Sequence, residues 1–362
     1  MNPWTASLTS SDPGTEIVGL GAATPLGRSV WATAAAVRAG ISGFAQHPYM
    51  VDAAGAKMTV APMPWLDESR GIAERIGDAL VAAVREALAV LQAQPPRAPI
   101  TLLVNLPSAR PGLPVGLAER IDERLKSSFG NVFERRAVAA LGHAGGMLAL
   151  RSARQRIAAS PETLAVVAGA DSYLDPDVLE SLEDTDQLHG AGERNNAWGF
   201  VPGEGAGALL IASAPLSRSL GLTSLGRVQG VGVGREEKLI GTGEVCLGLG
   251  LTEAVRGALA ALAKKALVTD VYCDMNGEPY RADEFAFMVL RTRERFVAAS
   301  DFVAPADCWG DVGAASAPLG IALACVAGAK RYARGTLTLV WASSAGGERG
   351  AALIETAAPR TV

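Results

Sequence analysis

The sequence of 362 residues lacks any apolar run as long as a membrane span, which needs about 20 residues. Met1–Thr15 lacks the basic start and apolar core of a secretory signal peptide. The formal net charge is only −4, and no stretch combines clustered basic residues with aromatic ones. We therefore expect a cytoplasmic protein that binds neither a membrane nor nucleic acid.

Metal-binding patterns are also missing. There are three histidines and four cysteines, and no two cysteines have the CxxC spacing of a zinc site. We predict no metal, no cofactor and reduced cysteines. Cys246 lies in a glycine-rich stretch; we interpret it as a small buried apolar residue, with an approach to the active-site pocket as the alternative.

Small and apolar residues are abundant, with 41 glycines and 49% hydrophobic residues against 5% aromatic ones. Mainly apolar runs such as Ile100–Leu106 predict buried strands, and apolar spacing of three to four residues predicts helices such as Asp67–Ala93. Their alternation predicts an α/β protein of βαβ units with largely parallel sheets. We expect few regular elements in Phe44–Pro64, and a solvated helix face at Arg281–Arg295.

The alternation occurs twice along the chain. We predict an N-terminal half over residues 14–215 and a C-terminal half over residues 220–358, with a loose lead-in at residues 1–13. Each half has room for a core of its own.

Val138–Met147 is the stretch that bears most directly on function. It is small and apolar, turns on glycines, and continues as a helical pattern to Ala158. Proteins place reactive groups at such strand–turn–helix elbows because the first N–H groups of the helix point towards them. The residue at the tip is His143.

Four stretches, in order, resemble motifs of the β-ketoacyl synthases of the thiolase superfamily. IVGLGAATPLG at Ile17–Gly27 is similar to their opening strand and loop, and WGFVPGEGAGA at Trp198–Ala208 is similar to their DGFVxGEGAG loop. GDVGAASAP at Gly310–Pro318 and SSAGGERGA at Ser343–Ala351 are similar to two later glycine-rich segments.

The resemblance implies a thiolase-like, five-layered αβαβα fold made of two pseudo-duplicated halves. It also implies a dimer formed through the strand near Arg135–Ala140. Members condense an acyl thioester with a malonyl thioester in fatty acid or polyketide pathways, with acyl carrier protein or acyl-CoA as the source of the acyl group. An elbow cysteine carries the acyl group, and two histidines, or a histidine and an asparagine, assist decarboxylation.

The sequence departs from the family at each of these positions. His143 replaces the cysteine, the first histidine falls on Met275 with Asn276 adjacent, and the second falls on Asp311. A carboxylate at position 311 would repel a developing oxyanion rather than donate to it. We name His143, Asp311 and Asn276 as the candidate catalytic positions.

The resemblance also assigns a substrate-binding set. A customary lysine is Ala306 here, so Glu204 is expected to lack its cationic partner, and Ala345 replaces a gating phenylalanine. The predicted substrate-binding positions are Met275, Ala345, Gly346, Gly347, Phe200 and Glu204.

Three functions are compatible with these replacements. The first is a non-catalytic partner of an active ketosynthase, similar to the chain-length-factor subunits of aromatic polyketide systems. The second is an active acyltransferase or thioester hydrolase in which Asp311 orients His143 as a base. The third is a homodimer that binds an acyl ligand without reacting.

Overall fold

The computed structural model describes residues 14–67, 69–91, 98–191 and 196–358; the predicted lead-in at residues 1–13 lies outside them. The strands are β1 Thr15–Ala23, β2 Ala45–Val51, β3 Lys57–Val60, β4 Ile100–Leu106, β5 Arg135–Ala140, β6 Leu164–Ser172, β7 Glu204–Ser213, β8 Gly226–Arg235, β9 Asp270–Cys273, β10 Leu337–Ser343 and β11 Glu348–Glu355. The helices are α1 Val30–Arg38, α2 Ile72–Leu88, α3 Leu117–Phe129, α4 Gly145–Ala159, α5 Pro176–Asp184, α6 Ala214–Ser219, α7 Leu249–Ala258, α8 Pro279–Thr292, α9 Ala306–Trp309 and α10 Ser316–Ala329. Short 3₁₀ turns cover Ala89–Leu91, Arg293–Arg295 and Gly313–Ala315.

Nine strands form a mixed sheet in the order β5-β4-β6-β7-β1-β8-β11-β10-β9. The β5–β4, β4–β6 and β10–β9 pairs are parallel, and the other pairs are antiparallel. The prediction of largely parallel sheets is therefore wrong. Apolar runs give no strand direction, and the four-residue connection between β10 and β11 permits only an antiparallel hairpin.

Helices and strands alternate in five layers, as the sequence resemblance implies. Helices α2 and α3 pack on one face of β1, β4, β6 and β7. Helices α4 and α10 form the central layer with the inner faces of both parts of the sheet, and α7 and α8 cover the outer face of β10 and β11. Helix α10 is apolar on all sides because it has protein on all sides.

Equivalent glycines bring a helix onto the sheet in each half. A Cβ at Gly21 of β1 would lie 1.9 Å from the carbonyl oxygen of Ala83 in α2. A Cβ at Gly232 of β8 would lie 1.9 Å from the carbonyl oxygen of Ala254 in α7. The same close approach of helix and strand at corresponding places agrees with two halves of similar construction. Strands β1 and β8 connect the two halves of the sheet through three residue pairs. The boundary between them at residues 215–220 stays a prediction.

Other element boundaries differ from the predictions. Phe44–Pro64 contains the hairpin β2–β3, which gave little apolar signal because most β2 side chains are exposed. The predicted helix Asp67–Ala93 begins only at Ile72, since the Asp67 carboxylate accepts the Ser69 N–H in a turn and Gly71 is the N-cap. Strand β4 has the predicted bounds. Within the described ranges, no helix has the length and apolar character needed to span a bilayer.

Candidate functional site

The elbow between β5 and α4 is held from two sides. Gly142 adopts a left-handed conformation (φ +66°), which lets the chain turn sharply ahead of His143. The Asn105 amide, at the end of neighbouring β4, donates to the carbonyl oxygens of Gly142 (2.6 Å) and Ala314 (3.1 Å). The Ser344 hydroxyl accepts the N–H of Ala144 and donates to the carbonyl oxygen of Leu141. The tip of the elbow is therefore fixed in position.

His143 is paired with Asp311. Its Nε2 lies 2.8 Å and 3.0 Å from the two carboxylate oxygens, and both side chains are buried. Because an ionised carboxylate only accepts, Nε2 carries the proton in this pair. The Arg281 Nη2 atom lies 3.3 Å from the same nitrogen, and this contact is not a hydrogen bond when Nε2 is protonated.

Asp311 is surrounded by donors. It also accepts from the Asn276 amide (2.7 Å) and from the Gly313 backbone N–H (2.7 Å). Burial would raise the pKa of Asp311, but the charge and hydrogen bond of His143, with Arg281 and the Gly313 amide, hold it well below its usual range. The carboxylate is thus ionised and its acceptor positions are occupied.

Arg281 is the central cation of the site. Its guanidinium donates to Asp274 (2.9 Å), Glu278 (3.0 Å) and the carbonyl oxygen of Ser343 (2.9 Å). Our interpretation of Arg281–Arg295 as a solvated face is wrong for this residue, which is 6% exposed. The sequence around Arg281 did not indicate that it is buried. One of the carboxylates that compensate its charge, Asp274, follows β9 and does not belong to α8.

We expect Asp311 to make stability depend on pH. The folded-state pKa is lowered, so unfolding takes up a proton, and the contribution is full above the pKa of an unfolded aspartate, about 3.9, and is lost as pH falls further. In urea unfolding, the stability difference between the wild type and Asp311→Asn should therefore shrink as pH is lowered from about 6 to about 3. The exposed Asp283→Asn is the control, and a difference that stays constant with pH would contradict the assignment.

A cavity of about 220 Å³ opens in front of His143, and we call it the elbow cavity. It is lined by Ser108, Ala109, Arg110, Pro111, Gly142, His143, Asp171, Tyr173, Val178, Ser181, Leu182, Thr185, Gln187, Phe200, Ile240, Glu278, Tyr280, Arg281, Asp311, Ser343, Ser344 and Ala345. Its volume is below the roughly 300–1,000 Å³ of typical small-molecule sites, so it suits a short segment of a ligand.

The structure brings some predicted site residues together and separates others. His143, Asp311, Phe200 and Ala345 line the elbow cavity, and Asn276 contacts Asp311 from behind it. The other four do not line this cavity: Met275, Glu204, Gly346 and Gly347. Met275 packs against the outer core beside α8. Their substrate-binding roles remain predictions.

Glu204 has a cationic partner, contrary to the expectation. The Arg75 guanidinium of α2 forms a two-contact ion pair with it, and Nε lies 2.9 Å from Oε2. Glu204 also accepts from the Met63 N–H and the Ser172 hydroxyl. An arginine 129 positions away therefore supplies the charge that the resemblance led us to expect from position 306.

The cysteines lie outside the elbow cavity. All four are buried free thiols, and none is among the described residues that line it. Burial raises the pKa of Cys246, and its sulfur lies within 4.8 Å of ligand atoms of Glu236 and Glu284. These carboxylates already accept from the Gly250 N–H and from the Arg349 guanidinium, respectively, so we assign no metal to this group.

Sequence reasoning missed several residues of the site. Arg110 pairs with Asp171, Tyr173 lies under the Arg110 guanidinium, and Glu278 accepts from Arg281. Among these residues only Glu278 had a local sequence signal. It precedes Pro279, and because proline favours the first helical position, the pair indicates the start of a helix.

Comparisons with known proteins agree with this architecture. Residues 142–215, which begin at the elbow, match the family model described as the β-ketoacyl synthase N-terminal domain. A search of curated protein sequences finds no match. Similar solved structures include a type II polyketide synthase ketosynthase in complex with its acyl carrier protein and bound to the hexaketide (AntDE:AntF), 13% identical with a TM-score of 0.78 over 96% of this chain and 100% of that one.

Two further structures have the same fold. The ketosynthase from module 6 of the bacillaene synthase of Bacillus subtilis 168 is 15% identical, with a TM-score of 0.76 over 95% of this chain and 72% of that one. The ishigamide ketosynthase/chain length factor is 17% identical, with a TM-score of 0.74 over 96% of this chain and 100% of that one. The chain therefore has the mixed α/β fold of these ketosynthase structures, with the elbow at the start of the matched segment. The resemblance to the β-ketoacyl synthases is confirmed for residues 142–215 by the family model, and the whole described chain has the fold of ketosynthase structures, a ketosynthase/chain length factor among them.

Proposed function

We propose that this protein is a ketosynthase-like subunit that binds an acyl group but does not perform decarboxylative Claisen condensation. The observation that carries the proposal is the buried His143–Asp311 pair at the elbow, at 2.8 Å. The family's reaction needs a thiolate that accepts the acyl group. Imidazole is a poor acyl store because acyl-imidazoles hydrolyse readily.

The charge around the elbow supports the same conclusion. Three buried carboxylates, those of Asp274, Glu278 and Asp311, lie with Arg281 where the family stabilises negative charge. Asp311 would repel an additional anion that develops in the elbow cavity. The groups that donate to Asp311 are occupied by its carboxylate, so they cannot stabilise that anion.

The partner in this proposal is an active ketosynthase, and the acyl group arrives on an acyl carrier protein or coenzyme A in the cytoplasm. Strand β5 lies at one end of the large sheet, so one of its edges is unpaired within the described chain and is available for pairing with a second subunit. A homodimer is the alternative assembly.

Affinity purification of the tagged protein from its native host tests the assembly. The proposal expects a complex of defined mass that contains a ketosynthase with an elbow cysteine. Substitution of the exposed β5 residue Ala140 by lysine should separate the two chains, while Val115→Lys at an exposed position outside β5 should not. Recovery of the tagged chain alone, as a homodimer, would contradict the heteromeric proposal.

A second function is favoured by the same pair of residues. Asp311 fixes the proton on Nε2, and Nδ1 has no hydrogen-bond partner among the described residues, as a general base requires. This alternative, a thioester hydrolase or acyltransferase, requires turnover of acyl-CoA or acyl carrier thioesters that His143→Ala abolishes.

A further inference from the structure

Tyr173 has a hydroxyl group that makes no hydrogen bond to any residue in the described part of the chain. The residue directly follows β6, its backbone N–H donates to the carbonyl oxygen of Gly203 (3.0 Å), and its side chain lines the elbow cavity. The Arg110 guanidinium lies 4.0 Å from the centre of the Tyr173 ring. The Phe200 ring packs against it in a T-shaped arrangement, with the ring centres 5.4 Å apart. The side chain therefore has little freedom to seek another partner.

The Tyr173 side chain is largely buried, and its hydroxyl is neutral. Tyr173 is 6% exposed, and its O–H makes no hydrogen bond to any residue that the structure describes. Burial, followed by the negative charge of Asp311, raises the pKa of Tyr173 well above its usual value. It is thus a hydrogen-bond donor at neutral pH, and it faces the elbow cavity, where water or a ligand can accept from it.

The neighbouring acceptors are occupied. Asp171 accepts from Arg110 and from the Ala314 N–H (2.9 Å), and Asp311 accepts from His143, Asn276 and Gly313. Glu278 accepts from Gln187 and Arg281. Once a ligand displaces water from the cavity, the acceptor for the Tyr173 hydroxyl therefore has to come from the ligand.

We propose that Tyr173 is a specificity-determining residue that donates a hydrogen bond to a carbonyl oxygen on the acyl chain of the ligand. The elbow cavity would then bind a 3-oxoacyl thioester in preference to a saturated acyl thioester of equal length. Val178, Leu182 and Phe200 supply the apolar wall for the carbon chain. This inference rests on the acyl-binding function proposed above.

Calorimetric titration with hexanoyl and 3-oxohexanoyl pantetheine tests the inference. The wild type should bind the 3-oxo ligand about tenfold more tightly, the upper range for one hydrogen bond in a buried site, and Tyr173→Phe should remove this preference with little effect on the hexanoyl ligand. Tyr280→Phe is the matched control, because Tyr280 also lines the cavity but its hydroxyl already donates to the carbonyl oxygen of Lys238 (2.8 Å) and accepts from Arg349 (2.6 Å).

The outcomes separate the two proposals. Equal binding of both ligands by the wild type, or a 3-oxo preference that survives in Tyr173→Phe, overturns the role of Tyr173 and leaves acyl binding intact. Failure of both ligands to bind the folded wild type overturns the acyl-binding function itself. A thermal melt of Tyr173→Phe confirms its fold, and little change in stability is expected, because the change keeps the packed ring and removes no hydrogen bond to a described residue.

Discussion

Replacing Arg75 by methionine should lower the free energy of unfolding by about 3–5 kcal/mol, as expected when a buried ion pair loses one partner. The substitution leaves Glu204, which is 0% exposed, without its cation. The Met63 N–H and the Ser172 hydroxyl still donate to the carboxylate, but neither carries charge. Urea unfolding at neutral pH measures the change.

Two further variants make this prediction specific. Arg75→Met combined with Glu204→Gln should recover part of the loss, because no buried charge is then left unpaired. Arg334→Met breaks the exposed pair with Asp301 and should cost at most about 1 kcal/mol. A loss for Arg75→Met as small as that for Arg334→Met would contradict the assigned role of the buried pair.

Gly145→Ala should both destabilise the protein and abolish ligand binding in the elbow cavity. A Cβ at position 145 would lie 1.9 Å from Oδ1 of Asn105, whose amide is fully buried and fixes the elbow. The amide must move, with the loss of its bonds to the carbonyl oxygens of Gly142 and Ala314. Overpacking of about 1–3 kcal/mol and unpaired buried groups of about 1–3 kcal/mol give an expected loss of about 2–6 kcal/mol.

The test of this prediction is non-additivity. If the clash with Asn105 is the cause, adding Gly145→Ala to Asn105→Ala should cost little more than Asn105→Ala alone. Gly130→Ala is a control for backbone conformation, because Gly130 has φ +55° and open space around it, and it should cost about 1–2 kcal/mol without affecting binding. Additive losses for the 105/145 pair would place the origin of the effect elsewhere.

Sequence patterns predicted the parts of this fold that local physics determines. Ile100–Leu106 is a strand with the predicted bounds because all seven side chains are apolar or buried and prolines flank the segment. The strand–turn–helix elbow was also predictable from the sequence, because glycines between a strand of small residues and a helical pattern favour a sharp turn of the backbone. The family resemblance further placed Asp311 and Asn276 near His143, and their contacts agree with that placement.

What the sequence did not show depends on contacts between distant residues. Arg75 and Glu204 are joined only by the packing of α2 on the sheet, and no local pattern around Arg75 marks it as buried. Arg281 was assigned to a solvated face because arginine is rarely buried. The three carboxylates around it are recognisable as its partners only once β9, α8 and the Gly310–Pro318 segment are assembled.

Intact-protein mass spectrometry after incubation with malonyl, acyl and 3-oxoacyl thioesters of coenzyme A and of acyl carrier protein tests the central claim most directly. The wild type and His143→Ala are compared, with an active ketosynthase as the positive control for adduct formation and condensation. We expect unmodified mass for both variants, intact thioesters and no condensation product. A covalent acyl adduct on the wild type, or thioester loss that disappears in His143→Ala, would contradict the central claim and identify the His143–Asp311 pair as an active catalytic unit.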